Sequence, residues 1–499
     1  MTVYLDLGAK RIQAYLARTP RLRGRRGASA LLEYERLYAW TKDAWSRYAQ
    51  VNVEGKQTDG VLSLRFTAPD VDDGTIDAVV TETAKLLQRL APGAEWDVHV
   101  RRADSYRQAL HEGGAAQRAG HDLLPGGVVR YRPLPVAPNE VPVVRLCETC
   151  GLDSAVRTAQ VEPTEPDGEK EIKSLCADCS RRFLEGGYRT DTRNWTADEA
   201  RRHWQEKIAP GGLAAERDLR IGVEQIKGRT AGTLRVARDF ADLAALGSGD
   251  ANHLCTVFAD GNRFGDLFSA LKDAEVSLRE LSADLNKAVR GALVAATADV
   301  TSEDDVCLPV IPHLVGGDDL LASVTADRAW DFVVAFLDDY HRRTATLAAD
   351  YRQRAGAPVP APTASAGLVF AHSTYPFADC LDLAEAALRR AKTRHKAMTP
   401  AVCWVDVTED GPELPASRSA PRLSTLADHR SDIHGLCAIP PSGRAQLAKA
   451  AQDGDDTAVA ALAHRLGRIS LVRPFLTHPP MPLVDALVLG RWWQCRRTG

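Results

Sequence analysis

Short apolar runs and longer amphipathic stretches alternate along this chain in two separate blocks. In the first, residues 3–7 read as a strand and 10–16 and 28–38 as helical stretches, while 60–66 and 96–101 alternate like half-buried strands around a helix-like 75–90. This predicts an α+β module over 1–110. The second block opens with His253-Leu254-Cys255-Thr256-Val257-Phe258-Ala259, a run apolar enough for a strand buried on both faces. A helical 276–300 follows, then apolar runs 310–315 and 320–324, helix 329–351, strand 364–371, helix 377–395 and strand 401–407. That order, β-α-β-β-α-β with a further helix and strand, predicts a ferredoxin-like module over 248–407. The two blocks read as diverged copies.

The connecting segments are of three kinds. Glycine and proline are frequent over 111–142, which reads as a linker, and a cysteine cluster occupies 143–185. Residues 186–247 are charged and helix-compatible, broken at Pro210-Gly211-Gly212, and end in a short apolar helix 240–246 closed by Gly247. The last stretch, 408–499, is punctuated by proline and mainly helical, with 456–469 its clearest helix.

Composition changes this picture little. A chain of 499 residues exceeds the roughly 250–300 at which one core stops growing, so several domains are expected. With Lys+Arg 63 against Asp+Glu 66 no global basic field marks a nucleic-acid binder, and any such surface must be local. The first residues have no basic-then-apolar signal layout and no run of eighteen apolar residues occurs, so a cytoplasmic location is expected, away from the membrane.

Candidate chemistry sits on the second block. Asp260-Gly261-Asn262-Arg263-Phe264-Gly265 follows its first strand, and Gly316-Gly317-Asp318-Asp319 lies between two apolar runs, the layout of a tight hairpin. Adjacent antiparallel strands would carry Asp260, Asp318 and Asp319 to one edge of a sheet, where carboxylates can hold the hard divalent cation that phosphoryl transfer needs. Gly316 and Gly317 permit positive φ and let a phosphate near the backbone, and Gly261 and Gly265 flank a turn into a helix. Helix 377–395 bears Arg389, Arg390, Lys392, Arg394 and Lys396 on its polar side, either as a phosphate-binding face or as a solvated one. By itself the acidic turn is also a good structural hairpin.

Four of the ten cysteines form two pairs, Cys147/Cys150 and Cys176/Cys179, each with two intervening residues. That spacing lets both thiolates of a pair turn onto one tetrahedral ion, so a structural zinc ribbon is expected, with a disulfide pair the minor alternative. Lys10 and the six arginines from Arg11 to Arg26 read either as a basic loop for nucleotide or RNA phosphates or as a solvated loop.

These features together resemble one family. Phe258-Ala259-Asp260-Gly261-Asn262-Arg263-Phe264-Gly265, Leu314-Val315-Gly316-Gly317-Asp318-Asp319, Ser365-Ala366-Gly367, Pro376 and Ala384-Glu385 through Ala391-Lys392 are similar to the second palm domain of the large polymerase/cyclase subunit of type III CRISPR effector complexes. The resemblance implies an α+β, multidomain chain with two palm (nucleotide cyclase/polymerase-like) domains, a zinc ribbon and a helical C-terminal region. It implies Mg²⁺ or Mn²⁺ on Asp260, Asp318, Asp319 and the Gly261 carbonyl, with ATP as substrate. Nucleotide would lie near Gly261, Asn262, Arg263, Phe264, Gly265, Gly316, Gly317, Ser365 and Lys392. The activity implied is synthesis of cyclic oligoadenylate for antiviral defence, with crRNA, target RNA and other effector subunits as partners. The first module resembles the first palm domain but lacks an acidic hairpin, so it is expected to be non-catalytic. Because its first strand starts at residue three, the resemblance is to members lacking the histidine-aspartate nuclease domain; His121-Asp122 is an isolated dipeptide. The alternatives are a stand-alone cyclic dinucleotide synthase and a non-catalytic RNA-binding scaffold subunit.

Overall fold

The computed structural model describes residues 1–19, 22–55, 58–110, 145–161, 171–185, 214–247, 252–271, 278–356, 358–477 and 479–493. The expected 111–142 linker with His121-Asp122, and the helix-compatible 195–213, lie outside the described residues. The chain divides into two compact units, Met1–Arg217 with Val276–Asn286, and Asp218–Glu275 with Lys287–Gly499.

In the first unit, strands β1 (Thr2–Lys10), β2 (Ala49–Val51), β3 (Val61–Phe66) and β4 (Glu95–Ala103) form an antiparallel sheet in the order β2-β3-β1-β4. Helix Asp73–Leu90 starts where the Asp72 carboxylate accepts from Thr75 N at 2.9 Å, and buries Ile76, Val79, Val80, Thr83 and Leu87. β2 escapes the periodicity argument because it has only three residues.

Among the described residues the arginine-rich segment is not the basic loop expected, and Arg21 lies outside them. Leu22–Leu32 is a helix, and Arg25 and Arg26 are 1% and 4% exposed. Arg26 pairs with the buried Glu216 at 2.7 Å, Arg25 donates to the Thr19 carbonyl, and Arg18 pairs with Asp153. Lys10 and Arg11 pair with Asp97 and Glu95. Buried carboxylates need cationic partners, and those partners come from this segment. Strands β5 (Arg157–Val161) and β6 (Glu171–Leu175) pair antiparallel and lead into helix Ala177–Glu185. That helix meets Leu22–Leu32 closely: a Cβ on Gly27 would stand 1.8 Å from the Arg182 carbonyl oxygen.

The second unit is built on β7 (His253–Asn262), β8 (Val310–Gly316), β9 (Asp319–Thr325), β10 (Thr363–His372) and β11 (Val402–Asp406), in the order β11-β10-β7-β9-β8. Counted from the start of each module, the first four strands of both sheets run 4-1-3-2; here β11 adds parallel to β10. β7 is central and antiparallel to both neighbours, and its consecutive residues Leu254 to Ala259 are buried on both faces, which explains its unbroken apolar run. Pro312 is tolerated because β8 is an edge strand, and a bulge lies beside it at Pro312/Leu314.

Helices Ala329–Ala355 and Phe377–Arg394 pack on this sheet. The second comes unusually near: a Cβ on Gly367 of β10 would stand 2.0 Å from the Ala384 carbonyl oxygen. The C-terminal helices are fixed to the β11 edge by buried polar contacts. Asp406 accepts from Trp492 Nε1 at 2.7 Å, and Arg418 pairs with Asp485 at 2.7 Å and with Asp410. The helix expected over 456–469 ends at Arg465, since Gly467 takes φ +65° and restarts the chain as Ile469–Val472. No helix among the described residues is long and apolar enough to cross a membrane.

Candidate metal and nucleotide site

Asp260 lies within β7, directly across from Ser365 of β10, and Asp319 is the first residue of β9. Gly316 and Asp319 close the β8–β9 hairpin, leaving Gly317-Asp318 as its two-residue loop. Gly317 takes φ +64°, a conformation glycine adopts without Cβ strain. Because β7 and β9 are neighbours, the turn folds over the end of β7. Carboxylate oxygens of Asp260, Asp318 and Asp319 consequently all lie within 4.8 Å of one another.

Gly261 is required by this approach. A Cβ there would stand 2.7 Å from the Cβ of Asp318 and 2.2 Å from the Phe264 ring. By contrast Gly265 and Gly317 have nothing within 4 Å of an added Cβ and leave room beside the backbone. Arg263, at φ +63°, caps helix Phe264–Ala270 and pairs with Asp266 at 2.6 Å. Asn262 and Ser365, 1% and 0% exposed, face each other: the Asn262 amide donates to Ser365 Oγ and Thr363 Oγ1, both at 3.0 Å. Their side chains tie β7 to β10 and do not point outward.

Lys392 reaches the acidic group from helix Phe377–Arg394. Its ammonium donates to Asp260 Oδ2 and, at 2.8 Å, to the Gly261 carbonyl. Neighbouring cations of that helix go elsewhere: Arg389 pairs with Glu385 at 3.3 Å and Arg390 donates to the Pro415 carbonyl.

Burial and the nearby Asp318 charge push the Asp319 carboxyl up to about 7, while burial lowers Lys392 to about 8. Behind the turn lies Tyr340 of helix Ala329–Ala355, fully buried, its hydroxyl without a hydrogen-bond partner. Burial and then the charges of Asp318 and Asp319 raise its pKa. Tyr340 carries no sequence signal, because at i+4 spacing it simply continues the core stripe of Phe332 and Phe336.

In the first unit, Cys147, Cys150, Cys176 and Cys179 bring their sulfurs within 4.8 Å of one another, and Cys150 Sγ lies 3.9 Å from Cys176 Sγ. The Cys179 amide donates to Cys176 Sγ at 3.3 Å, as at the head of a thiolate-bearing turn. Four sulfurs in this grouping suit a tetrahedral ion such as zinc. Asp178 sits between the last two cysteines. It accepts from Gly93 N, in the turn before β4, at 3.0 Å and from Tyr15 Oη of helix Ile12–Ala17 at 3.3 Å, and pairs with Arg182 of its own helix at 2.7 Å. These are the two groups of three or more potential metal ligands among the described residues. Asp6 of β1, by comparison, is engaged by Arg101 at 2.6 Å and Tyr106 at 3.2 Å.

Residues 253–399 match the family model Cas10/Cmr2, second palm domain. This segment is similar to a Cas10/Cmr2 second palm, and the match spans less than half of the chain. It contains Asp260, the Gly316–Asp319 turn, Ser365 and Lys392, so the resemblance drawn from those residues is to the same family, and the C-terminal helices lie beyond the match. None of the curated proteins compared matches the chain. Among solved structures, a Csm1–Csm4 cassette in complex with cA4 is 13% identical, with 98% of this chain and 70% of that chain covered and a TM-score of 0.49. Csm1 in T.onnurineus is 12% identical, with 99% and 70% covered and a TM-score of 0.48.

Proposed function

We propose that this chain is a metal-dependent nucleotidyltransferase that joins ATP into cyclic oligoadenylates, a second messenger of antiviral defence, as a subunit of a type III CRISPR effector complex activated by crRNA-guided target RNA. The observation that carries the reading is the convergence of Asp260, Asp318 and Asp319 carboxylates to within 4.8 Å, in a palm matched to the Cas10/Cmr2 family.

Three carboxylates with the Gly261 carbonyl beside them are a hard oxygen donor set, which fits Mg²⁺ or Mn²⁺. Bound there, the ion would offset the charge of the reacting phosphates. Asp260, Asp318 and Asp319 hold it at the edge of a rigid sheet. Gly265 and Gly317 leave the backbone open for triphosphate oxygens, and Arg263 and Phe264 border that opening. Asn262 and Ser365 serve by keeping β7 in register, so that Asp260 stays aligned with the turn. In the reaction a 3′-hydroxyl of one ATP attacks the α-phosphate of another, a new phosphodiester forms, and pyrophosphate leaves with the electron pair of the broken anhydride. Repetition closes the ring. Most acceleration then comes from in-line positioning and electrostatics. The four-cysteine group holds a structural Zn²⁺ and takes no part in the chemistry.

Assembled with its RNA-guided partners and target RNA, the protein should convert ATP to cyclic oligoadenylate identifiable by mass spectrometry, and should do so poorly with GTP, CTP or UTP. Product of another base, or product formed by the isolated chain alone, would contradict the assignment.

A further inference from the structure

The ammonium of Lys392 occupies a place that another cation should want. Its two acceptors, Asp260 Oδ2 and the Gly261 carbonyl oxygen, belong to the donor set assigned above to the divalent ion. The lysine side chain is 22% exposed and its Asp260 partner 31%, so water screens the pair only in part. Helix Phe377–Arg394 delivers Lys392 there with little freedom, since the Ala384 turn rests against Gly367 of β10 without space for a Cβ.

A cluster of three carboxylates this close repels itself unless a positive charge sits among them. An ammonium seated on Asp260 Oδ2 and the Gly261 carbonyl puts its charge where a divalent ion on the same groups would stand, and the two cations repel. When one arrives the other must leave, and a displaced ammonium finds a new acceptor in a triphosphate oxygen. We propose that Lys392 is a resident counter-cation which the divalent ion must displace and which nucleotide phosphate then receives, so that metal alone binds more weakly than metal arriving with nucleotide. This rests on the metal-site reading given above. It makes metal and nucleotide binding cooperative, as any coupling through one shared group must.

The test is binding of Mn²⁺ alone, without nucleotide, followed by electron paramagnetic resonance of the free ion, on the full-length protein. Lys392→Met and Lys392→Gln should each bind Mn²⁺ about tenfold more tightly than the unsubstituted protein, the scale of one charge-assisted hydrogen bond lost on displacement. Arg389→Met removes the same charge from the same helix one turn earlier, where the side chain pairs with Glu385, and should change the affinity less than twofold. Two substitutions at Lys392 guard against one of them misfolding. If both leave Mn²⁺ affinity unchanged or weaken it, while Asp319→Asn still abolishes binding, the counter-cation is wrong and the metal site stands. Equal tightening by Arg389→Met would reduce the effect to general electrostatics and overturn the displacement. If neither the unsubstituted protein nor the Lys392 variants bind Mn²⁺, both readings fall together.

Discussion

Gly261 and Asp318 are so close that a Cβ on the glycine would lie 2.7 Å from the Cβ of the aspartate. The same atom would lie 2.2 Å from the Phe264 ring, and while the ring can swing aside, the Asp318 Cβ cannot yield without moving the hairpin. Gly261→Ala should therefore push the acidic turn away from Asp260. We expect Mn²⁺ affinity to drop at least tenfold while global stability falls by about 1–3 kcal/mol, the usual cost of overpacking. Titration calorimetry and urea denaturation measure the two separately.

Asp319 should make metal binding dependent on pH. Its carboxyl titrates near 7, whereas an unfolded aspartate titrates near 3.9, and only the ionised form ligates. Divalent-ion affinity should accordingly rise as pH is raised from 6 to 8, and Asp319→Asn should flatten the profile. The effect on metal-free stability has the opposite sign. Between about pH 4 and 7 the folded chain holds a proton that the unfolded chain has released, so stability is fully present below about 4 and is lost as pH rises through about 7, by at most about 1.4 kcal/mol per pH unit. Comparing pH-dependent unfolding of wild type and Asp319→Asn checks the sign.

Asp178 links the cysteine ribbon to helix Ile12–Ala17 through Tyr15 and to the turn before β4 through Gly93, and pairs with Arg182 of its own helix. Asp178→Asn leaves Arg182, 0% exposed, without its charge partner and should destabilise the first unit by about 3–5 kcal/mol. Stripping metal with a zinc-selective chelator should loosen the same contacts. Hydrogen exchange should show β1, β4 and helix Leu22–Leu32 losing protection in both cases, with β7 and β10 unchanged.

Gly367→Ala tests how Lys392 is placed. The added methyl would lie 2.0 Å from the Ala384 carbonyl and 2.6 Å from Leu388 N, backbone atoms that cannot rotate away. Helix Phe377–Arg394 must lift from β10 and carry Lys392 from Asp260. A fall in melting temperature together with a looser Lys392–Asp260 contact, read by the chemical shift of the ammonium, is the expected pair of results; a variant as stable as wild type would show that the helix is not held this way.

Much of the second palm could be read from the chain because its signals are local. β7 is unbroken apolar sequence since both of its faces are buried, and Gly317 marks the turn since the loop needs its positive φ. What escaped reading depends on distant partners. Arg18, Arg25 and Arg26 look like a solvated loop until Asp153 and Glu216 are placed beside Arg18 and Arg26. Asn262 and Ser365 are suitable for binding phosphate by type, yet their register across β7 and β10 turns them to each other. Lys392 could be singled out as a cation, but that its acceptor is Asp260, 132 residues earlier, follows only from the packing of Gly367 on Ala384.

The account stands most directly on pyrophosphate release from ATP by the target-RNA-activated complex in the presence of Mn²⁺. Release should depend on the divalent ion and should fall by at least a hundredfold in Asp318→Ala/Asp319→Ala and in Asp260→Ala, with assembly and folding retained, as expected when the groups that position charge in the transition state are removed. Release that persists in the folded, assembled variants, or that is absent from the unsubstituted complex, would contradict it.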